Sequence, residues 1–264
     1  MNVKDKTIWI TGASSGIGAA MAIEFSKRGA KLILSSRNTD ELDNVKSICS
    51  QPERVKILPI DLANTSAFKE TVAQAINFYG HIDVLVNNAG ISQRSLAAET
   101  DLEVDKKIFD INYFGTISLT KALIPHFKEN GSGHFVVISS VVGKIGTPLR
   151  SSYSGSKHAL HGFFDSLRSE LFKDQIKVSL ICPGYVNTKV SINALTAHGD
   201  KQGTLDKATA NGLSPEKFAV KAVRAIAREK QEIVIGGLLE KVAVYVKRFF
   251  PLLLSRMVRK IPVT

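Results

Sequence analysis

Short apolar runs recur along the chain, and most are followed by a longer stretch with helical periodicity. Residues 7–11, 31–35, 55–60, 82–86, 134–138, 177–182 and 232–235 read as strands. Most of them are apolar throughout rather than alternating, as expected of strands covered on both faces. Between them, residues 19–28, 39–50, 64–79, 99–110, 113–129 and 152–172 carry apolar positions at helical spacing. A further helix opens at Ser214-Pro215-Glu216, with serine as N-cap and proline at the first helical position. Strands alternating with helices predict a parallel sheet with helices on both faces. One segment resists the pattern. Residues 185–211 contain Gly and Thr but little periodicity, and a stretch that long is a lid, a binding loop or disordered.

The end of the chain changes character. Leu238, Leu239, Val242, Ala243, Val246, Phe249 and Phe250 fall on one helical face, with Glu240, Lys241, Val244, Lys247 and Arg248 opposite. After Pro251, Leu253, Leu254, Met257, Val258 and Ile261 repeat the pattern against Arg256, Arg259 and Lys260. The uninterrupted apolar run from Phe249 to Leu254 is far short of the roughly 20 residues that span a bilayer. A basic amphipathic helix of this kind lies in a membrane interface, packs on the body, or packs on a second subunit. At 264 residues, with no Gly/Ser or Pro linker, the chain reads as one α/β domain over 1–237, with 238–264 a basic amphipathic tail rather than a separate domain.

Composition narrows the function classes. The net charge of +11 invites a nucleic-acid reading, but much of the excess sits in the tail, and one Trp and five Tyr leave little for base stacking. The two cysteines, Cys49 and Cys182, have no metal-ligand spacing and suit a reducing compartment. The N-terminal residues go straight into a strand with no apolar signal segment. The expected location is cytoplasmic, peripheral on a membrane if the tail binds one. The six histidines form no ligand cluster, so no metal is expected.

Candidate chemistry gathers at the strand ends. Gly12-Ala13-Ser14-Ser15-Gly16-Ile17-Gly18 joins the first strand to the first helix. In that setting backbone N–H groups and the helix start approach a phosphate: Gly12 allows the tight turn, Gly16 close approach, and Gly18 helix–strand packing. Ser36-Arg37-Asn38 follows the second strand. An acid there would hold a ribose 2′-hydroxyl, whereas the Arg37 guanidinium accommodates a 2′-phosphate. That favours NADP(H) over NAD(H), the alternative being a solvated arginine at the start of a loop. Asp61, in Asp61-Leu62 after the third strand, either accepts from an adenine or caps the next helix. Asn87-Asn88-Ala89-Gly90 suits a tight strand exit that is structural, cofactor-contacting, or both. Asn112 inside a helical stretch has a use or marks a kink. Ser139-Ser140 ends the fifth strand, and Pro183-Gly184 the sixth. Tyr153 and Lys157 stand one turn apart on one helix face, where an ammonium would favour ionisation of a phenol whose ordinary pKa is about 10. Such a pair is, alone, an ordinary helix-surface feature.

Taken in order, the Gly-rich turn, Asp61-Leu62, Asn87-Asn88-Ala89-Gly90, Asn112, Ser140, Tyr153-x-x-x-Lys157 and Pro183-Gly184 resemble the short-chain dehydrogenase/reductase family over about residues 5–236. The resemblance implies a Rossmann-like, doubly wound seven-stranded sheet in the order 3-2-1-4-5-6-7. It implies Tyr153 as general acid/base and Lys157 as the cation that lowers its pKa and holds the nicotinamide ribose. Ser140 would orient the substrate oxygen, and Asn112 would support a proton-relaying water chain. Gly12, Ser14, Ser15, Gly16, Ile17, Gly18, Arg37, Asp61, Leu62, Asn88, Ala89, Gly90, Tyr153, Lys157, Pro183, Gly184, Val186 and Thr188 would hold the cofactor. Ser15 departs from the basic residue many NADP-using members carry there, which leaves the preference to Arg37. Residues 183–188 and 211–215, with the basic tail, are similar to the member 7/7B subgroup, which implies membrane association and a lipophilic carbonyl substrate, with Val141, Val142 and Ile145 compatible with it. Family dimers and tetramers imply a homo-oligomer. A scaffold that holds NADP(H) without turnover is the alternative.

Overall fold

The computed structural model of the chain describes residues 1–259; Lys260 and Ile261, which the sequence puts in the tail pattern, lie outside them. The strands are β1 (Thr7–Thr11), β2 (Lys31–Ser35), β3 (Val55–Ile57), β4 (Val84–Asn87), β5 (Gly133–Ile138), β6 (Ile176–Pro183) and β7 (Glu232–Ile235). They form a seven-stranded sheet in the order β3-β2-β1-β4-β5-β6-β7, every pairing parallel. The winding starts at β1, runs out to β3, then returns across β1 to β4. The chain therefore leaves β1 and β4 in opposite directions, and this opens a crevice above their carboxyl ends.

The helices are α1 (Gly16–Lys27), α2 (Thr39–Ser47), α3 (Phe68–Tyr79), α4 (Leu102–Phe109), α5 (Thr116–Glu129), α6 (Ser151–Glu170), α7 (Lys207–Ala210), α8 (Pro215–Ala227), α9 (Leu238–Phe249) and α10 (Pro251–Val258). Alternate strand residues supply the two faces. Ile8 and Ile10 of β1 enter a core with Met21 and Phe25 of α1 and Phe218 and Val223 of α8. Trp9 enters the opposite core with Leu123 and Phe127 of α5 and Leu160 and Phe164 of α6. Its indole Nε1 donates to Ser35 Oγ at 2.8 Å, which satisfies the one polar atom the tryptophan buries.

Three departures from the sequence reading stand out. β3 ends at Ile57, not residue 60, although Leu58 and Ile60 still donate to the Leu34 and Ser36 carbonyls; Pro59 lies between them with its nitrogen toward the unpaired edge, where proline is tolerated. The helical stretch through Asn112 is continuous but contains a π-helical turn over Asp110–Gly115. Residues 185–211 are irregular apart from α7. They are held by bridges from Leu195 to Gln93 and Lys201 and from Val186 to Leu213.

The tail is a helical pair whose faces are not divided as the periodicity suggests. Ala243, Val244, Val246 and Val258 turn inward with Leu254, which is 3% exposed, onto Val141, Ile145 and Val234. Leu238, Leu239, Val242, Tyr245, Phe249, Phe250, Leu252, Leu253 and Met257 face outward. Val141 and Ile145 are thus covered by α10 and do not face the crevice. No helix among the described residues is long and apolar enough to cross a membrane.

Candidate active site

The crevice is a cavity of about 750 Å³ above the carboxyl ends of β1, β2, β4, β5 and β6. At one end the β1–α1 turn forms its floor. Gly12 has φ +64°, and a Cβ there would stand 2.7 Å from Ala89 Cα, so both the backbone angle and the β4 exit exclude a side chain. A Cβ on Gly18 would overlap the Gly12 carbonyl and reach within 2.6 Å of Asn88 Nδ2, which keeps the start of α1 against the turn. Asn88 locks the turn from the neighbouring strand: its Nδ2 donates to the Thr11 carbonyl (2.9 Å) and the Gly12 carbonyl (3.1 Å). Its role is structural and places it on the cavity wall as well. Gly16 lies under Thr188, whose Cγ2 would be 3.1 Å from a Cβ at that position.

Ser14, Ser15, Gly16, Ile17, Arg37, Asp61, Leu62, Asn88, Ala89, Gly90, Ser140, Tyr153, Lys157, Pro183, Gly184, Val186 and Thr188 line the cavity together with Gly12. Gly18 and Asn112 do not; both are buried behind the wall. Arg37 is exposed, and no hydrogen bond or ion pair holds it among the described residues. Asp61 lines the cavity and accepts from Ala63 N at 3.0 Å, a local turn and not a helix cap, since α3 begins at Phe68 with Ala67 before it and no side-chain cap bond. Asn38 beside Arg37 caps α2 by accepting from Glu41 N (3.1 Å).

At the other end, α6 delivers Tyr153 and Lys157. Lys157 is 4% exposed; burial pushes its ammonium down to about 8, and its Nζ donates to the Ile138 carbonyl at 2.9 Å. Nζ lies 5.9 Å from the Tyr153 ring centre. Burial raises the Tyr153 phenol above its ordinary value, while a hydrogen bond with Ser140 and the charges of Arg94 and Arg150 pull it down. Two arginines that the sequence did not single out thus act on the phenol. Ser140 Oγ also accepts from Val142 N (3.3 Å), which fixes the hydroxyl at the end of β5.

Asn112 explains the π-helical turn that holds it. Its Oδ1 accepts from Ile91 N (2.8 Å), and its Nδ2 donates to the Ile91 carbonyl (2.9 Å) and to Ser156 Oγ (3.1 Å). Ser156 Oγ in turn donates to the Tyr153 carbonyl (2.8 Å). One extra residue per turn brings a side-chain amide inward where a regular helix would hold it on the surface. Asn112 thereby joins the β4 exit to α6. Its Oδ1 is 3.0 Å from where a Gly90 Cβ would stand, and Lys157 Nζ is 3.6 Å from the same point.

Several residues escaped the sequence reading. Gln93, fully buried, accepts through Oε1 from Ser152 N (2.9 Å) and Tyr153 N (3.4 Å), and its Nε2 donates to Thr100 Oγ1 (3.0 Å) and Ser95 Oγ (3.2 Å). It caps α6 from another segment, since Arg150 at the N-cap makes no side-chain cap bond. Ser152 Oγ also hydrogen-bonds Asp105 of α4. Asp206, 1% exposed, receives Arg94 Nη2 (2.6 Å) and Nε (2.9 Å), Gln202 Nε2 (2.9 Å) and Arg150 Nη2 (3.4 Å). Burial pushes the Asp206 carboxyl up, but these bonds and charges hold it below its usual range. Gln93, Arg94, Arg150 and Asp206 have no periodic or motif signature; the one hint is an arginine where a helix cap is expected. Ile91, Ile111, Val190 and Leu195 bring apolar surface to this end of the cavity, with Lys107, Lys189 and Lys201 beside them. Among the described residues no group of acids, histidines and cysteines is placed to hold a metal.

Comparison with known proteins decides the family. The model described as short chain dehydrogenase matches residues 6–198. A Drosophila melanogaster dehydrogenase/reductase SDR family protein 7-like is 42% identical over 251 residues, 93% of this chain and 77% of the fly protein. The mouse dehydrogenase/reductase SDR family member 7B is 40% identical over 260 residues, 97% of this chain and 80% of the mouse protein. The chain belongs to the short-chain dehydrogenase/reductase family. It is an oxidoreductase of that family, and its sheet order is the one the sequence implied. In fold it is similar to a short-chain dehydrogenase/reductase from Burkholderia phymatum solved with NAD (TM-score 0.84, 22% identity, 96% of each chain covered). It is also similar to a short-chain dehydrogenase from Burkholderia cenocepacia solved with NADP (TM-score 0.79, 24% identity, 99% of this chain and 100% of that one). The neighbours of this family member thus bind either cofactor.

Proposed function

We propose that the chain reduces a lipophilic ketone or aldehyde to an alcohol, reversibly, with NADP(H) preferred. The observation that carries the reading is the hydrogen-bonded Ser140–Tyr153 pair on the wall of a cavity that runs without a break to the Gly12–Gly16 turn. The cradle fits a dinucleotide: two positive-φ glycines leave the floor free of side chains, and Thr188 roofs it. Gly12, Ser14, Ser15, Gly16 and Ile17 would hold the pyrophosphate, Asp61 and Leu62 the adenine end, and Lys157 with Asn88, Ala89 and Gly90 the nicotinamide ribose. The bound nicotinamide supplies the hydride.

Tyr153 hands its phenolic proton to the substrate oxygen, and Ser140 donates a hydrogen bond to that oxygen as charge develops on it. A phenol kept protonated by burial is in the right state to donate at neutral pH. Lys157 and Asn112 flank Gly90 and form the route by which the proton is replaced. Arg37 is available for a 2′-phosphate because none of the described residues engages it. Ile91, Ile111, Val190 and Leu195 support an apolar substrate.

The test is consumption of NADPH and NADH across a panel of apolar ketones and aldehydes, with Tyr153→Phe beside the parent chain. The variant should bind cofactor and lose about 10²- to 10⁴-fold in kcat. Full turnover by Tyr153→Phe on a substrate of the parent chain overturns the reading, and tight cofactor binding with no turnover on any carbonyl favours a scaffold.

A further inference from the structure

Away from the cavity, at the open edge of the sheet, lies a groove of about 250 Å³ between α8, β7 and the start of α9. Lys221, Arg224, Arg228, Lys230 and Lys241 line it. The first three follow one face of α8 at spacings of three and four residues, opposite the face that buries Phe218, Ala222 and Ile226. All five are exposed, and none is ion-paired among the described residues. The carboxylates nearest in sequence are turned elsewhere. Glu229 faces the Met1 ammonium at 3.7 Å, Glu232 pairs with Lys144 at 2.5 Å, and a Glu240 oxygen accepts from Tyr185 N at 3.4 Å. Among the described residues no acid lines the groove.

The second observation is the surface beside it. On α9 the outward side chains Leu238 (76% exposed), Val242, Tyr245 and Phe249 (69%) form one stripe at i, i+4, i+7 and i+11. Lys241, part of the groove, and Arg248 lie along one flank of that stripe. Phe250, Leu252, Leu253 and Met257 extend the apolar surface onto α10. The hairpin has already used its inner face on Val141 and Ile145, so the outer face is surplus to its packing. A contiguous apolar surface of this size marks an interaction site.

We propose that this outer face docks on an anionic lipid bilayer, with Phe249, Phe250, Leu239 and Leu253 at the acyl boundary and a headgroup phosphate in the α8–β7 groove. Charge selects this occupant. A two-fold contact with a second copy would set the groove's unpaired cations near their own images, whereas an anionic surface neutralises them. The geometry is that of an interfacial helix: apolar stripe, basic flank, no spanning length. It goes beyond contact through the tail alone, because three of the groove's cations belong to α8, within the body of the fold.

The experiment is co-sedimentation of the full chain with vesicles of phosphatidylcholine, alone or with phosphatidylserine, at low and high salt. Binding should require phosphatidylserine and weaken with salt. The Lys221→Gln, Arg224→Gln, Arg228→Gln triple variant should bind roughly a hundredfold more weakly, at about fivefold for each charge removed near the surface. Leu239→Gln with Phe249→Gln should abolish binding while circular dichroism and cofactor affinity stay as in the parent. Equal binding to neutral vesicles, no binding at all, or binding untouched by the α8 substitutions overturns the proposal. So does light scattering that shows a dimer which Leu239→Gln with Phe249→Gln splits into monomers, because a second copy then covers the face.

Discussion

Replacing Gln93 by leucine separates the placement of Tyr153 from its chemistry. The side chain touches neither the phenol nor the cavity floor. What it holds is the first turn of α6, through the Ser152 N–H at 2.9 Å and the Tyr153 N–H at 3.4 Å. Leucine fills a similar volume and leaves the Ser152 donor without that acceptor. Ser95 and Thr100 keep each other (2.7 Å), so that side of the site survives. The Tyr153 bond is long and weak, so the loss is close to that of one orphaned donor in a buried site, about 1–3 kcal/mol. At roughly 2 °C per kcal/mol for a chain of this length, the melting temperature should fall by about 2–6 °C.

Activity should fall by more than stability. A displacement of about 1 Å at a reacting group costs on the order of 10²-fold. Steady-state reduction, followed by loss of reduced-nicotinamide absorbance well below both melting temperatures, should show kcat down roughly 10- to 100-fold, with the cofactor KM nearly unchanged. Gln93→Glu retains oxygen acceptors for both N–H groups, and its charge suits a helix start. It should recover most of kcat, which a purely structural role would not produce. If leucine lowers the melting temperature and leaves kcat intact, the remaining contacts of α6 place Tyr153 without Gln93, and the reasoning fails.

Lys157→Met should stabilise the fold at pH 7 by about 1–3 kcal/mol while removing activity, because the parent buries an ammonium pushed down to about 8 from 10.5. The gap should narrow between pH 8 and 10.5, where the unfolded chain still holds a proton that the folded chain has released; urea titrations across that range measure it, and a constant gap refutes it. His134 and His161 are both pushed down to about 4 by burial, so the unfolded chain binds more protons between about pH 4 and 6.5. Stability should fall with acidification across that window by up to about 3 kcal/mol per pH unit for the two together, and a flat urea midpoint there contradicts it. Arg37→Ser should raise the KM for NADPH about 10- to 100-fold through loss of a charge-assisted bond, with little change for NADH; an equal effect on both cofactors would place Arg37 outside any phosphate contact.

The parallel sheet was readable because each strand is a buried apolar run followed by helical periodicity, and burial on both faces leaves that mark on composition. The cofactor end was readable for a related reason. It depends on backbone approach, and only glycine permits the Gly12 angle or the Gly18 contact. Where side-chain geometry decides, periodicity carried less. It grouped Leu238, Leu239 and Val242 with Ala243 and Val246, yet the first three face outward and the last two inward with Val244. The amphipathic pattern of a tail that covers a body on one side and is open on the other has two apolar faces, and a single stripe cannot describe both. Val141 and Ile145, which in the sequence are compatible with a lipophilic substrate, are likewise packed under Leu254.

The same distinction runs through the active site. Tyr153 and Lys157 are visible at a spacing of four because one helix carries both. What surrounds them comes from segments far apart in the chain. Gln93 and Arg94 follow β4, Arg150 precedes α6, and Asp206 ends the irregular segment after β6. Two guanidiniums meet one carboxylate there, so the cluster retains a positive charge near the phenol while Asp206 ties the irregular segment to the start of α6. Electrostatic tuning and the position of the substrate wall are thereby coupled through one buried carboxylate. Removing its charge would set two arginines against each other in a buried site and loosen the tie between the irregular segment and the start of α6, with the bridges at Leu195 and Val186 still in place. A substitution such as Asp206→Asn should therefore move the kinetic pKa of Tyr153 and the substrate KM at once. If either moved alone, the arginine cluster and the substrate wall would be separate devices.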